Sequence, residues 1–500
     1  MDLVLTLDRT APLPLYQQLA AALREAVLQG RLQPHQPLPS SRRLAQSLQV
    51  SRSTVTQSYD QLLSEGYFEA RGGSGTFVCA QLPDEYLHSA EMEPQRSRPA
   101  ELTQLSRLGQ TLLADVPLQV ADPKGGISFR LSSPDTSQFP IQLWRRLLSR
   151  HCQQTSARLN YGPDALGYGP LRAAIADYLR RSRAVQCSAE QVIIVSGSQQ
   201  GLDLMARLTI DPGDQVALED PGYLGARRCF ASYGAQLQGI PVDAAGLDIE
   251  ALRHHHQPFK WLYVTPSHQF PTGATLSLSR RLALLQWAQQ TGTLILEDDY
   301  DSEYRYGDRP IPALQGLDQR SVIYTGTFSK ILFPALRIGY LVVPEPWIPL
   351  VNRAKWLCDR QAPPLTQSAL TDFITEGHFE RHIRRMRHRY DQRRQVLVNA
   401  LKDHLGDRVT ILGEKAGIHL MAKIETGLSD QAVIQRAADV GVGVISAQGY
   451  YLNAPNRGEF IFGYAQLDAA QIEQGIQQLA QVLKGEITWW SRDVEWHWSI

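Results

Sequence analysis

The stretch SVIYTGTFSKILFPALRIGY places one lysine, Lys330, after a strand-like run and seven positions before Arg337. A lysine amine forms a Schiff base with an aldehyde only when it is unprotonated. Partial burial and a neighbouring cation, here expected to be Arg337, lower its pKa towards that state. Thr327 and Ser329 add hydroxyls, and the Arg337 guanidinium adds a forked donor suited to a phosphate. A second string, LILEDDYDSEY, sets Glu297, Asp298, Asp299 and Asp301 at the C-terminal edge of a strand, the ligand side of an open α/β sheet. A carboxylate there can keep a pyridine nitrogen protonated and make its ring an electron sink. The same acids could hold a metal, but no histidine lies near them in the string and a nucleotide motif is missing, so no metal is expected. A third string, GSQQGLD, starts a helix after a strand, so Ser198 and Gln199 offer backbone N–H groups and a positive dipole end to a phosphate.

The elements that must position these groups follow from periodicity. Apolar runs QVIIVSG, QVALED, WLYVTP, GTLILEDDY and SVIYTGTFSK alternate with helical patterns, which predicts a parallel sheet with crossover helices. His254, His255 and His256 are adjacent and cannot all face one ion, so they read as a solvated turn, whereas His268 in TPSHQFPTG is placed to line a site.

The N-terminal segment reads differently. LPLYQQLAAALREAVLQG repeats Leu15, Leu19, Leu23 and Val27 every fourth position and stops at Gly30. Two further helical patterns meet at a turn, where Ser51 is a natural N-cap, and YFEARGGSGTFVC alternates around a glycine-rich tip. Three helices and a hairpin make a winged helix-turn-helix, whose second motif helix can enter the major groove of DNA. Val55, Tyr59 and Leu62 share its inner face, leaving Arg52, Ser53, Thr56 and Gln57 outward. A solvated surface helix would look the same, and charge does not decide. Residues 1–80 hold seven arginines, no lysine and six acidic residues, so DNA affinity would call for a dimer using two modules.

The 500 residues exceed what one core usually serves, and Lys plus Arg equals Asp plus Glu at 50 each, so no global charge points to a partner. No basic leader or membrane-spanning apolar run is present, which makes the cytoplasm the expected compartment, with no membrane partner expected. Five separated cysteines without a CxxC pair suggest neither disulfides nor zinc, and they are expected to pack as small buried residues. The expected division is 1–80 for the winged helix, 81–122 for an irregular linker with Pro94 and Pro99, 123–485 for the α/β domain and 486–500 for a tryptophan-rich tail.

LPSSRRLAQSLQVSRSTVTQSYDQLLSEGYFEARGGSGTFV closely resembles the winged-helix domain of the GntR family. The resemblance implies that Arg42, Ser51, Arg52, Thr54 and Thr56 touch double-stranded operator DNA, with Arg71 and Gly72 of the wing beside them; Arg43 stands where that family often has an acidic residue. The strings LNYGPDALGYGPLRAAIADYL, EDPGYLGARR, TPSHQFPTG, LEDDYDSEY, TGTFSKILFPALRIGY and HIRRMRHRYDQRR resemble fold-type I aminotransferases, and the fusion resembles the MocR subfamily of regulators.

That likeness implies an α/β fold with a mixed, mostly parallel sheet, a small C-terminal α+β subdomain and bound pyridoxal 5'-phosphate. By it, Lys330 forms the Schiff base, Asp298 pairs with the pyridine nitrogen, Tyr300 bonds the ring hydroxyl and Tyr223 stacks on the ring. Ser198, Gln199, Thr327 and Arg337 hold the phosphate, aided by the Ser329 hydroxyl, and Tyr161 reaches the neighbouring subunit's phosphate in a head-to-tail homodimer. Two positions depart from the aminotransferase pattern: Ile461 and Gly225 stand where arginines grip a substrate carboxylate, with Arg457 a candidate substitute for the first. The expected function is therefore a one-component regulator that senses an amine, an amino acid or the cofactor itself. A working aminotransferase with a vestigial or regulatory N-terminal module is the second reading, and a cofactor-free scaffold the third.

Overall fold

The computed structural model describes residues 7–72, 75–82, 105–114, 126–129, 133–153, 160–255, 257–307, 311–453 and 455–484. The chain forms two compact units, Met1–Gln104 and Leu105–Ile500. The division falls within the span expected to be linker, and Arg107–Ala114 in that span is a helix rather than irregular chain. Its segment lacks proline and carries Leu108 and Leu112 four apart, one turn on one face. The tryptophan-rich tail lies outside the described residues.

In the first unit, α1 (Leu15–Leu28), α2 (Ser41–Leu48) and α3 (Arg52–Ser64) precede an antiparallel hairpin of β1 (Phe68–Arg71) and β2 (Gly75–Val78). Side chains cap two helix starts: Ser40 accepts the Arg43 N–H at 3.3 Å, and Ser51 accepts the Thr54 N–H at 3.1 Å. Leu19, Leu23, Val55, Tyr59, Leu62, Phe68 and Val78 form one core. Tyr59 meets Phe68 edge to face at 5.6 Å and donates its hydroxyl to the Pro39 carbonyl at 2.9 Å.

The second unit contains β3 (Ile127–Ser128), β4 (Val192–Val195), β5 (Gln215–Asp220), β6 (Gln236–Asp243), β7 (Gly246–Leu247), β8 (Trp261–Val264), β9 (Leu294–Asp299), β10 (Val322–Thr327), β11 (Gly339–Val342), β12 (Val409–Leu412), β13 (His419–Ile424), β14 (Val442–Gly443), β15 (Ile445–Ser446) and β16 (Glu459–Gly463). The large sheet runs β4-β11-β10-β9-β8-β5-β6-β7, with β11 and β7 antiparallel to their neighbours and the rest of one direction. Alternate residues of its strands enter apolar clusters on opposite faces: Leu262 and Ile295 join one, Tyr263 and Leu296 the other. A sheet buried on both faces explains why these strands read as unbroken apolar runs.

A smaller antiparallel sheet, β12-β13-β16-β15, packs with helices His378–Leu405, Asp430–Asp439 and Ala469–Lys484 into the α+β subdomain. No helix among the described residues is long and apolar enough to cross a membrane. Cys187 and Cys229 are buried as expected, but Cys152 and Cys358 are exposed. Both exposed cysteines sit in the last turn of a helix, where chain ends face solvent.

Candidate functional site

The C-terminal ends of β5, β8, β9 and β10 surround a cavity of about 280 Å³. Lys330 reaches it from the turn after β10, Asp298 and Tyr300 from the end of β9, and Ser198 from the start of helix Ser198–Thr209. Thr327 and Tyr223 complete the expected members of its lining. Leu224, Tyr263, Thr265, Phe270 and Tyr450 line it as well, and the sequence reading did not single them out. TPSHQFPTG held Phe270 in plain view. Tyr263 and Tyr450 carry no local signal, because only the folded sheet brings them to Lys330.

Asp298 is almost fully buried, and its Oδ2 accepts from the Tyr263 hydroxyl at 2.8 Å. Its Oδ1 is buried with no hydrogen-bond partner, an unmet acceptor beside a cavity. Burial raises the carboxyl pKa from 3.8 to about 7, with Lys330 pulling the other way. The Lys330 amine is held below its ordinary value by burial, opposed by Asp301 and Asp298. Of the two expected causes, burial acts and Arg337 does not. Its guanidinium is turned to the Ser196 carbonyl, to which it donates at 2.6 Å.

Arg337 itself, at φ +51°, lies over Gly197. A Cβ at Gly197 would come within 2.9 Å of Nη2, and φ there is +79°, so only glycine lets the guanidinium close on the helix start. Ser329 donates its backbone N–H to Thr327 Oγ1 at 3.2 Å, while its own Oγ is buried and unpartnered. Gln199 is exposed, donating to the Gly225 carbonyl at 3.2 Å and accepting from the Tyr223 hydroxyl at 3.5 Å. Tyr161 is 78% exposed and lines no part of its own chain's cavity.

Behind Tyr300 the fold assembles a buried polar cluster. The Tyr300 hydroxyl lies 3.0 Å from His268 Nδ1, which meets Asp301 Oδ1 at 2.9 Å. His419, from β13, brings its ring within 5.1 Å of His268, and donor atoms of His268, Asp301 and His419 all lie within 4.8 Å of one another. Two histidines thus stand beside these acids in space, although none is near them along the chain. Burial and neighbouring acids keep the Tyr300 phenol protonated well above its ordinary range. Asp299 is turned away from the cavity, paired with buried Arg183 at 2.6 Å and accepting from the Tyr324 hydroxyl. Arg457 is exposed and lines a different cleft with Arg408 and Lys423.

In the first unit, Arg42, Ser51, Arg52 and Thr56 are exposed on α2 and at the start of α3. Arg52 donates to Ser41 Oγ at 3.3 Å, which ties the two helices together at that surface. Thr54 is half-buried and shares its hydroxyl with Ser51 at 2.7 Å. Arg71, at the end of β1, pairs with Glu69 and stacks 4.9 Å over Phe77, and Gly72 follows it, exposed, at the hairpin tip.

Residues 15–78 match the bacterial regulatory proteins of the gntR family, and residues 128–479 match aminotransferase class I and II. The chain is 40% identical over 477 residues to the probable rhizopine catabolism regulatory protein MocR of Rhizobium meliloti, covering 95% of each. It is 32% identical to the pyridoxine biosynthesis transcriptional regulator PdxR of Corynebacterium glutamicum, covering 93% of this chain and 95% of that one. Among solved structures, LysN, an α-aminoadipate aminotransferase from Thermus thermophilus complexed with N-(5'-phosphopyridoxyl)-L-leucine, aligns with a TM-score of 0.67 and 30% identity, covering 76% of this chain and 95% of that one. With a winged helix and an aminotransferase fold in one polypeptide and a relative of this similarity along almost its whole length, the chain belongs to the MocR subfamily of GntR-family transcription regulators.

Proposed function

We propose that the chain holds pyridoxal 5'-phosphate on Lys330 and works in the cytoplasm as a one-component regulator, in which a small-molecule effector at this cavity alters DNA binding by the winged helix. The observation that carries this reading is a partly buried lysine sharing a cavity with a buried carboxylate whose one oxygen lacks a partner. The residues present fit the cofactor. Asp298 Oδ1 is an acceptor waiting for a ring N–H, and the Gly197 surface is shaped for an anion between Arg337 and a helix start.

When bound, the cofactor supplies an aldehyde carbon and an electron-withdrawing ring. The chain's own residues do the rest. Burial shifts the Lys330 amine towards its neutral, nucleophilic form, and Tyr263 holds the Asp298 carboxyl through Oδ2. Tyr300, braced by His268 and Asp301, remains a phenol able to donate to a ring oxygen. Tyr223 offers its ring face, and Ser198, Gln199, Thr327, Ser329 and Arg337 offer donors to the phosphate. Tyr161, exposed on its own chain, is assigned to the phosphate of a second copy in a head-to-tail homodimer.

On DNA, Arg42, Ser51, Arg52, Thr54 and Thr56 meet the groove and Arg71 and Gly72 the backbone, with domain limits of 1–80, 81–122, 123–485 and 486–500. Footprinting of the purified chain on its own upstream DNA, with and without cofactor, tests the reading. A protected site whose affinity depends on cofactor, a dependence lost in Lys330→Ala, is expected. The absence of any sequence-selective protection would sink it.

A further inference from the structure

The Tyr300 hydroxyl, on the cavity wall, rests on a pair of side chains buried wholly within one chain. His268 is 2% exposed and Asp301 0%, so their contacts are made inside a single copy. His268 Nδ1 lies 2.9 Å from Asp301 Oδ1, 3.1 Å from Asp301 Oδ2 and 3.0 Å from the Tyr300 oxygen. A carboxylate only accepts, so the hydrogen of the His268–Asp301 bonds sits on Nδ1. A ring nitrogen that carries a hydrogen has no lone pair with which to accept. The Tyr300 oxygen can then only share the Nδ1 hydrogen, and its own hydrogen is left for an acceptor in the cavity that Tyr300 lines.

The backbone is shaped around this pair. Gly417, two residues before β13, has φ +79°, and a Cβ there would lie 2.5 Å from His268 Nδ1 and 2.6 Å from Asp301 Oδ2. Its N–H donates to the Tyr304 carbonyl at 2.7 Å, and its carbonyl accepts from the Tyr306 and Tyr464 hydroxyls at 2.6 and 2.7 Å. These bonds pin Gly417 against the pair. His419, at the start of β13, spends its Nε2–H on the Pro271 carbonyl at 3.3 Å. Burial holds its pKa well below the ordinary value, so the ring is neutral and makes no claim on the Asp301 charge.

We propose that His268, its tautomer fixed by Asp301, is a positioning residue that commits the Tyr300 hydroxyl to donate towards the cofactor's ring oxygen. The proposal deepens the cofactor reading above and depends on it. His268 is not among the described lining residues, so its influence passes through Tyr300. Asp301 has a second effect, since its charge also raises the Lys330 pKa.

The test uses the full-length chain saturated with pyridoxal phosphate at one fixed pH. The bound cofactor shows two absorption bands, according to whether its labile hydrogen sits on the ring oxygen or on the nitrogen that Lys330 supplies. A hydrogen bond donated to the oxygen favours the second band. Tyr300→Phe removes the donor and sets the reference change in band ratio. His268→Phe is expected to move the ratio in the same direction by about fivefold, and to add nothing in the Tyr300→Phe background. His268→Asn, which returns an N–H, should restore the original ratio. Should His268→Phe not fold, the cycle of Asp301→Asn with Tyr300→Phe replaces it: the additive part reports the Asp301 charge on Lys330, and a coupled part of several-fold is expected for the Tyr300 hydroxyl. An unchanged ratio in His268→Phe, or changes that simply add in either cycle, overturn the proposal alone. A parent chain that takes up no cofactor overturns both it and the function it depends on.

Discussion

Asp298 shows how much a single residue's setting matters. Glu219, Glu297, Asp298 and Glu303 are all buried, and burial raises each to about 7 from ordinary values of 4.5 for the glutamates and 3.8 for the aspartate. Each therefore holds its proton more tightly folded than unfolded. Their contribution to stability is greatest on the acid side and is lost as pH rises through about 7. In the cofactor-free chain, the unfolding midpoint of the larger unit is expected to fall across that window, and Asp298→Asn should flatten the fall. Thermal denaturation at stepped pH checks this; an unchanged slope in the variant would contradict it. The identity of Asp298 as a candidate was legible from LILEDDYDSEY. Its unmet Oδ1 and its Tyr263 partner were not, since both depend on a strand 35 residues away in sequence.

At the scale of elements, two helix starts carry most of the testable content. Ser51 caps α3 through the Thr54 N–H, so Ser51→Ala should cost the first unit about 1 kcal/mol in a denaturation measurement and weaken DNA binding as well. Arg52→Ala leaves the cap alone and removes a charge; the slope of log affinity against log salt is expected to drop by about 1. At the other helix start, Gly197→Ala meets both a left-handed backbone and the Arg337 guanidinium. Cofactor affinity should fall by about tenfold, corresponding to ~1.4 kcal/mol, as read by equilibrium dialysis. The Ser51 cap and the strand-to-helix turn at GSQQGLD were visible in the sequence, because capping is a local rule. That Arg337 folds back onto Gly197 was not visible, because the two are far apart in the chain and meet only where the ends of neighbouring strands β4 and β11 come together.

For the molecule as a whole, the proposal requires the effector to bind two arrangements of the protein unequally, since a ligand of equal affinity for both shifts nothing. Loading the full-length chain with cofactor is accordingly expected to change its DNA affinity. Lys330→Ala should hold that affinity at the cofactor-free value whatever the cofactor concentration, with cofactor-free binding unaltered. Fluorescence anisotropy on labelled operator DNA measures both quantities; a cofactor response that persists in Lys330→Ala would break the link between the two units.

The strands β4, β5, β8, β9 and β10, the winged helix and the lysine between strand and turn were readable from residues 1–80 and from the apolar runs, whereas β6, β7, β11 and the smaller sheet were not singled out. What was readable rests on neighbours within a few positions: a four-residue helical repeat, an alternation of faces, a cap. The apolar cluster of Leu224, Phe270, Tyr450 and Ile461 and the cluster of His268, Asp301 and His419 emerged only from the folded chain. Burial and charge are sums over everything nearby in space: of the two causes expected for the lowered Lys330 pKa, burial acts and Arg337 does not. Whether a lysine meets an arginine or an apolar wall depends on which distant strands lie side by side, and pairing of that kind leaves no mark on local spacing.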